Sequence, residues 1–258
     1  MAGKPKSAEM QPGPGFRIRN EIERPDPDVV AGLGAFDTPS VSDQMNRLYT
    51  MVPEIHAITG PELSIFGPAC TVKCFPGDNL MVHKSLDIAQ AGDVLVIDAS
   101  SSSLTAVAGD LISTKARHRG IKGFVVDGLV RDVPEIVALK DFPVFARGMT
   151  PIGPLHRGPG EINHPISAGG IVVNPGDIVL GDANGVVIVP RAIAKELLDR
   201  LQELSAVEVE YREAVARGDF NNDWVDASLR QAGVIWDDGI APADGSAATT
   251  DGVSNSSR

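Results

Sequence analysis

The chain has 258 residues, 43% of them hydrophobic, with 23 basic against 34 acidic side chains and a formal net charge of −11. That length suffices for one large core or two small ones, and the acidic balance argues against a phosphate-backbone partner, whose affinity would come from Lys and Arg neutralising phosphates. No apolar run approaches the roughly 20 residues a bilayer helix needs, and the opening MAGKPKSAEMQPGPGF lacks the apolar region of a secretory signal, so a cytoplasmic protein with neither membrane nor nucleic-acid partner is expected.

Residues 1–28 are rich in Pro, Gly, Lys and Glu with little apolar periodicity, which predicts an extension that is disordered or drapes over a neighbour. The core is expected from Val29. Asp37-Thr38-Pro39-Ser40 reads as a helix start with Val41, Met45 and Leu48 on one face. Gly32 and Gly34 do not make a dinucleotide loop, since no strand precedes them and Asp37 stands where the third glycine belongs. Phe66 to Phe75 reads as a strand and Leu80 to Gln90 as a helix, followed by a strand from Asp93 to Asp98. Cys70 and Cys74 fall on one face of the first strand, roughly 13 Å apart and too far for a disulfide. With no second Cys pair and no His beside them, two buried thiols are expected, not a zinc site.

Ser100 to Ser103 should form a polar loop that could line a site. It leads to the stretch that carries most of the chemistry, GDLISTKARHRGIKGFVVDGLVRD from Gly109 to Asp132. Leu111, Ile112 and Ala116 lie at near-helical spacing, basic residues gather before Gly120, and Gly123 to Val126 is a β-branched run suited to a buried strand. A helix of about 15 Å answered by a strand of roughly 20 Å returns the strand's end to the helix's start. Asp110 then neighbours Arg131 and Asp132, assembling one cation, two carboxylates and the free amides of a helix N-terminus, a set suited to an organic acid together with a divalent metal. The plainer reading, in which Asp110 serves the helix dipole, Asp127 and Asp132 are turn residues and Arg131 a surface ion pair, has a slight edge on composition alone.

Beyond Asp132, Val133 to Leu139 reads as a short helix and Phe142 to Ala146 as a strand. Gly148 to Gly170, crowded with Pro and Gly and carrying His156 and His164, reads as a long surface loop, its histidines too sparse for a metal claim. Strands at 171–173, 177–180 and 186–189 close the sheet, and Arg191 to Arg217 forms a long helix with Leu197, Leu198 and Leu201 on its apolar face. Asp223 to Gly233 is expected as an amphipathic helix and the tail from about Ala241 as disordered.

Gly-Asp-Leu-Ile at 109–112, with Asp-Gly-Leu-Val-Arg-Asp at 127–132, resembles the signature of the RraA-like family, which includes class II 4-hydroxy-4-methyl-2-oxoglutarate / 4-carboxy-4-hydroxy-2-oxoadipate aldolases. The likeness covers about residues 29–219, leaving 1–28 and 220–258 as extensions. It implies a layered ββα domain of the α/β class with a mixed central sheet and a long C-terminal helix, assembled as a trimer or a pair of trimers. It further implies a site in which Asp132 binds Mg²⁺ or Mn²⁺ directly, while Asp110 and a late glutamate of the neighbouring subunit hold its waters. That glutamate is taken as Glu208, with Glu210 as rival. Gly109, Leu111 and Ile112 would help bind the 2-keto acid, and Arg131 would face its keto oxygen. The activity so implied is cleavage of a 4-hydroxy-2-keto diacid to pyruvate and a second keto acid. Oxaloacetate decarboxylation at the same site, or a non-catalytic role like that of the family's ribonuclease E regulators, are the alternatives.

Overall fold

A computed structural model describes residues 9–236. The chain divides into two compact units, one through Glu203 and one from Leu204 onward, each considered by itself. Among the described residues no helix is long and apolar enough to cross a membrane.

The first unit is built on a mixed sheet. Its centre is four parallel strands, β3 (Ile65–Cys74), β4 (Val94–Asp98), β6 (Gly123–Val130) and β7 (Val144–Met149), in the spatial order β3-β4-β6-β7. All five residues of β4 are buried, as a parallel strand covered on both faces requires. Alternation still sorts the side chains: Leu95, Ile97, Phe124 and Val126 enter one core, and Val94, Val96 and Val125 the other. The first core is closed by α3 (Leu80–Ser85), α4 (Asp110–His118) and α5 (Val133–Val137). The second lies beneath β9 (Ile166–Ala168), β10 (Ile171–Val173), β11 (Ile178–Asp182) and β12 (Gly185–Val189). Strand β11 runs antiparallel to both β12 and β3, whereas β9 and β10 pair only with each other, so not all the late strands join the main sheet. A third cluster packs α1 (Pro27–Leu33) and α2 (Thr38–Gln44) with Leu197, Leu198 and Leu201 of α6 (Ala194–Ala216). Asp37 caps α2 by accepting from Ser40 N at 2.8 Å, as its sequence predicts. Leu48 is 71% exposed, not on the buried face expected for it, because α2 already ends at Gln44.

The expected loop from Gly148 to Gly170 is corrected by the structure. It contains β8 (Gly160–Ile162), antiparallel to β3 with Val72 opposite Ile162, and β8 in turn pairs in parallel with β1 (Phe16–Ile18). The pattern was hidden because β8 offers one large apolar residue. It is held instead by backbone pairing, so close at Gly160 that a Cβ there would lie 2.2 Å from Lys73 O. Within the described part of the segment before Val29, Gly15 and Arg17 are tied down at the same place: Glu161 Oε1 accepts from Gly15 N at 2.8 Å and Arg17 Nε at 2.6 Å. Helix α3 stops at Ser85, short of Gln90.

In the second unit, α6 continues through Glu208 and Glu210, both exposed, and α7 spans Asp223–Gln231 with Trp224 exposed. The tail from Ala241 lies outside the described residues.

Candidate active site

Strand β5 (Ala106–Ala108) runs parallel to β6, so both chains leave the sheet at the same edge and each turns directly into a helix, the usual place for a ligand crevice in α/β sheets. A hydrogen bond from Arg131 N to Ala108 O at 3.0 Å joins the two exits. The result is a cavity of about 200 Å³ lined by Gly109, Asp110, Leu111, Ile112, Arg131 and Asp132 on these exits, with Asn79, His83, Pro154 and His156 completing it. The sequence-predicted residues of the first unit therefore do meet. Glu208 and Glu210 belong to the second unit.

Local conformation explains how each group is presented. Gly109 has extended backbone ahead of α4, and the first helical bond runs from Ser113 N to Gly109 O at 3.0 Å. The amides of Leu111 and Ile112 precede that bond and so belong to the helix's uncommitted donors. Asp132 sits at φ 56°, ψ 39°, left-handed for a residue with a side chain, and stands at the N-cap of α5 with no side-chain bond to the helix amides. Such a conformation costs on the order of 1 kcal/mol and is the kind of strain that gathers at functional sites. It turns the carboxylate away from the α5 amides, toward Arg131, whose Nε lies 3.1 Å from Asp132 Oδ2. Gly153 passes so close that a Cβ there would lie 2.5 Å from Arg131 Nη1.

The donor set suits a hard cation. Asp110 and Asp132 offer carboxylate oxygen and no thiolate lines the cavity. Among the described residues no three His, Cys, Asp or Glu side chains converge as a ready metal cage. Cys70 and Cys74 are buried and unpaired, and burial, reinforced by Asp93 for one and by Asp78 and Asp98 for the other, pushes each thiol up to about 12. Neither supplies a nucleophile at neutral pH. The Ser100–Ser103 run does not line this cavity.

Asn79 and His83 escaped the sequence reading, and His156 entered it only as a histidine of a surface loop. Asn79 is buried, and its Nδ2 donates to Val107 O at 2.9 Å while its Oδ1 lies 2.6 Å from His156 Nδ1. The rings of His83 and His156 meet edge to face with centroids 5.3 Å apart. Burial, and then the charges of His156 and Lys115, hold the His83 imidazole below its ordinary pKa. No spacing connects residue 79 with 156, so only the fold could bring them to Gly109.

Residues 38–188 match the RraA-like family, described as Aldolase/RraA. A protein of Halalkalibacterium halodurans named "Putative 4-hydroxy-4-methyl-2-oxoglutarate aldolase" is 38% identical over 179 residues, covering 69% of this chain and 84% of the relative. Among solved structures, an uncharacterized protein from Pseudomonas syringae pv. tomato is 28% identical with a TM-score of 0.70, covering 78% of this chain and 93% of its own. RraAS2 of Streptomyces coelicolor, described as an unusual member of the RNase ES inhibitor RraA protein family, is 29% identical with a TM-score of 0.64, covering 76% and 99%. With most of its first unit matched and its site motif within the matched span, this chain belongs to the RraA-like family.

Proposed function

We propose that this chain is a divalent-metal-dependent lyase that cleaves a 4-hydroxy-2-keto diacid into pyruvate and a second keto acid. The observation that carries the reading is the convergence of Arg131, Asp132, Asp110 and the first amides of α4 on one cavity; the aldolase names borne by relatives such as that of H. halodurans support it.

Asp132 would hold Mg²⁺ or Mn²⁺ directly, with Asp110 and Glu208 of the partner subunit holding its waters in a homo-oligomer, a trimer or a pair of trimers. When bound, the ion supplies Lewis-acid polarisation of the keto acid. The chain's own groups do the rest. The amides of Leu111 and Ile112 receive the substrate carboxylate at the positive end of α4. Arg131 stands at the keto oxygen, where negative charge grows as the C3–C4 bond breaks and its electron pair moves into the enolate. The C4 hydroxyl becomes a carbonyl by losing a proton, and C3 gains one to give pyruvate. Asp110, beside the same space, is the carboxylate suited to holding a proton during that exchange. Oxaloacetate would use the same groups with CO₂ as the leaving fragment.

Pyruvate release from a panel of 4-hydroxy-2-keto diacids and oxaloacetate, with Mg²⁺ or Mn²⁺ and then with excess chelator, tests the proposal. Metal-dependent release is expected. Turnover that survives chelation overturns the metal assignment, and no release from any substrate favours a non-catalytic role, such as the RNase ES inhibition for which the Streptomyces relative's family is named.

A further inference from the structure

The residues just assigned account for the pyruvyl end of a substrate and leave one side of the cavity without a task. That side is formed by Asn79, His83, Pro154 and His156. His156 is exposed, yet it is held firmly. Asn79, 3% exposed, has its orientation set by Nδ2 donating to Val107 O on β5, which leaves Oδ1 as an acceptor for the Nδ1–H of His156. The surrounding backbone is pinned as well: Asn79 N donates to Leu155 O at 3.0 Å, Leu155 N to Gly77 O at 2.8 Å, and Arg157 N to Asp78 Oδ2 at 2.5 Å. Because Nδ1 is engaged, Nε2 is the nitrogen left to a ligand, and among the described residues it has neither a hydrogen-bond partner nor a carboxylate in ion-pair contact.

Resting on the function proposed above, we propose that His156 is a specificity residue: its Nε2–H donates to the distal carboxylate of the substrate, selecting 2-keto diacids over 2-keto monoacids. The chemistry favours an anion at this point. His83 stands edge-on to His156, and with Nδ1–H already given to Asn79, a proton on Nε2 makes the ring an imidazolium, the form a neighbouring carboxylate favours. A charge-assisted hydrogen bond from an imidazolium to a carboxylate is then among the stronger contacts available. Asn79 is the positioning residue. Its link to Val107 ties the histidine to β5, the strand that leads into Gly109, fixing the separation between the two ends of the ligand.

The test is binding, by calorimetry with Mg²⁺ present, of 2-oxoglutarate and 2-oxopentanoate. These keto acids have equal chain length and differ by a terminal carboxylate against a methyl; neither carries the 4-hydroxyl needed for cleavage. The protein should bind 2-oxoglutarate on the order of tenfold more tightly, a ratio one charge-assisted hydrogen bond supplies. His156→Ala should bring the two affinities to within about twofold while leaving that for 2-oxopentanoate unchanged. His156→Gln, which keeps an N–H donor, should retain part of the preference, and Asn79→Ala should lose most of it with His156 still present. An undiminished preference in His156→Ala, equal loss of both ligands in a folded variant, or no preference in the parent protein overturns the inference while leaving the keto-acid reading standing. Failure of the parent to bind either keto acid overturns that reading, and this inference with it.

Discussion

A Cβ at position 109 would stand 2.5 Å from Asp132 Oδ2 and 3.0 Å from Arg131 Cγ. The residue between β5 and α4 must therefore lack a side chain for the two charged groups after β6 to reach the cavity. Backbone freedom is not the reason, since Gly109 is extended and any residue could adopt its angles.

Gly109→Ala should accordingly fold and melt close to the parent, because Asp132 and Arg131 are partly exposed and can swing away. Activity should fall by about 100-fold, the order of loss that an ångström of misplacement causes. Circular dichroism melting alongside pyruvate release distinguishes this from unfolding; retained activity would mean that Asp132 is not needed where the structure has it.

Arg131 and Asp132 are adjacent but have different tasks in the proposed chemistry. Arg131→Lys keeps the charge and loses the planar fork, so kcat should drop by roughly 100-fold or more with metal affinity nearly unchanged. Asp132→Ala should weaken metal binding so far that added Mn²⁺ restores little. Titrating Mn²⁺ into each variant while following binding and pyruvate formation separates the two roles, and equal weakening of metal in both variants would contradict the assignment.

How much of this was legible in the sequence follows from which signals are local. The α4-β6 unit could be read because its helix spacing, its glycine stop and its β-branched strand are contiguous, and because the motif at 127–132 carries the resemblance; β5, only three residues long, was not. Helix α6 declared itself through Leu197, Leu198 and Leu201. Strand β8 did not, since Gly160 and Glu161 satisfy no apolar alternation and their pairing partners lie far off in β3 and β1. His156 was passed over for the same reason: its partner Asn79 is brought to it by the loop bonds between 77–79 and 155–157. The use of Gly109 was invisible too, because steric conflict with Asp132 exists only in three dimensions.

The docking of β1 gives a pH-dependent stability. The Arg17 guanidinium first, opposed by burial and aided by Gly15 N, holds the Glu161 carboxyl below its usual value. A carboxyl depressed in the folded state stabilises the fold above its unfolded pKa and loses that contribution as pH falls through the lower folded value. Glu161→Gln should therefore be less stable than the parent at pH 7, by about 1–2 kcal/mol for a charge-assisted hydrogen bond. The gap should close as pH drops below the ordinary glutamate range toward pH 3. Thermal melts of both proteins at pH 7, 5 and 3 check this, and a constant gap would remove the ion pair as its cause.

The last prediction concerns assembly. The proposed reading takes Arg131 and Asp132 from one subunit and Glu208 from the next, with Glu208 exposed on α6 and so accessible to a neighbour. Glu208→Ala should lose metal-dependent activity without unfolding, as should Arg131→Ala. Mixing the two inactive proteins under conditions that permit exchange should then restore a fraction of the sites, since some interfaces in a mixed oligomer unite an intact Arg131 with an intact Glu208. Exchange is to be verified independently, by mass spectrometry of subunits with distinct labels. No recovery after proven exchange would contradict a shared site. Loss of activity in Glu210→Ala but not in Glu208→Ala would move the water-holding glutamate two positions along α6 while leaving the interface intact.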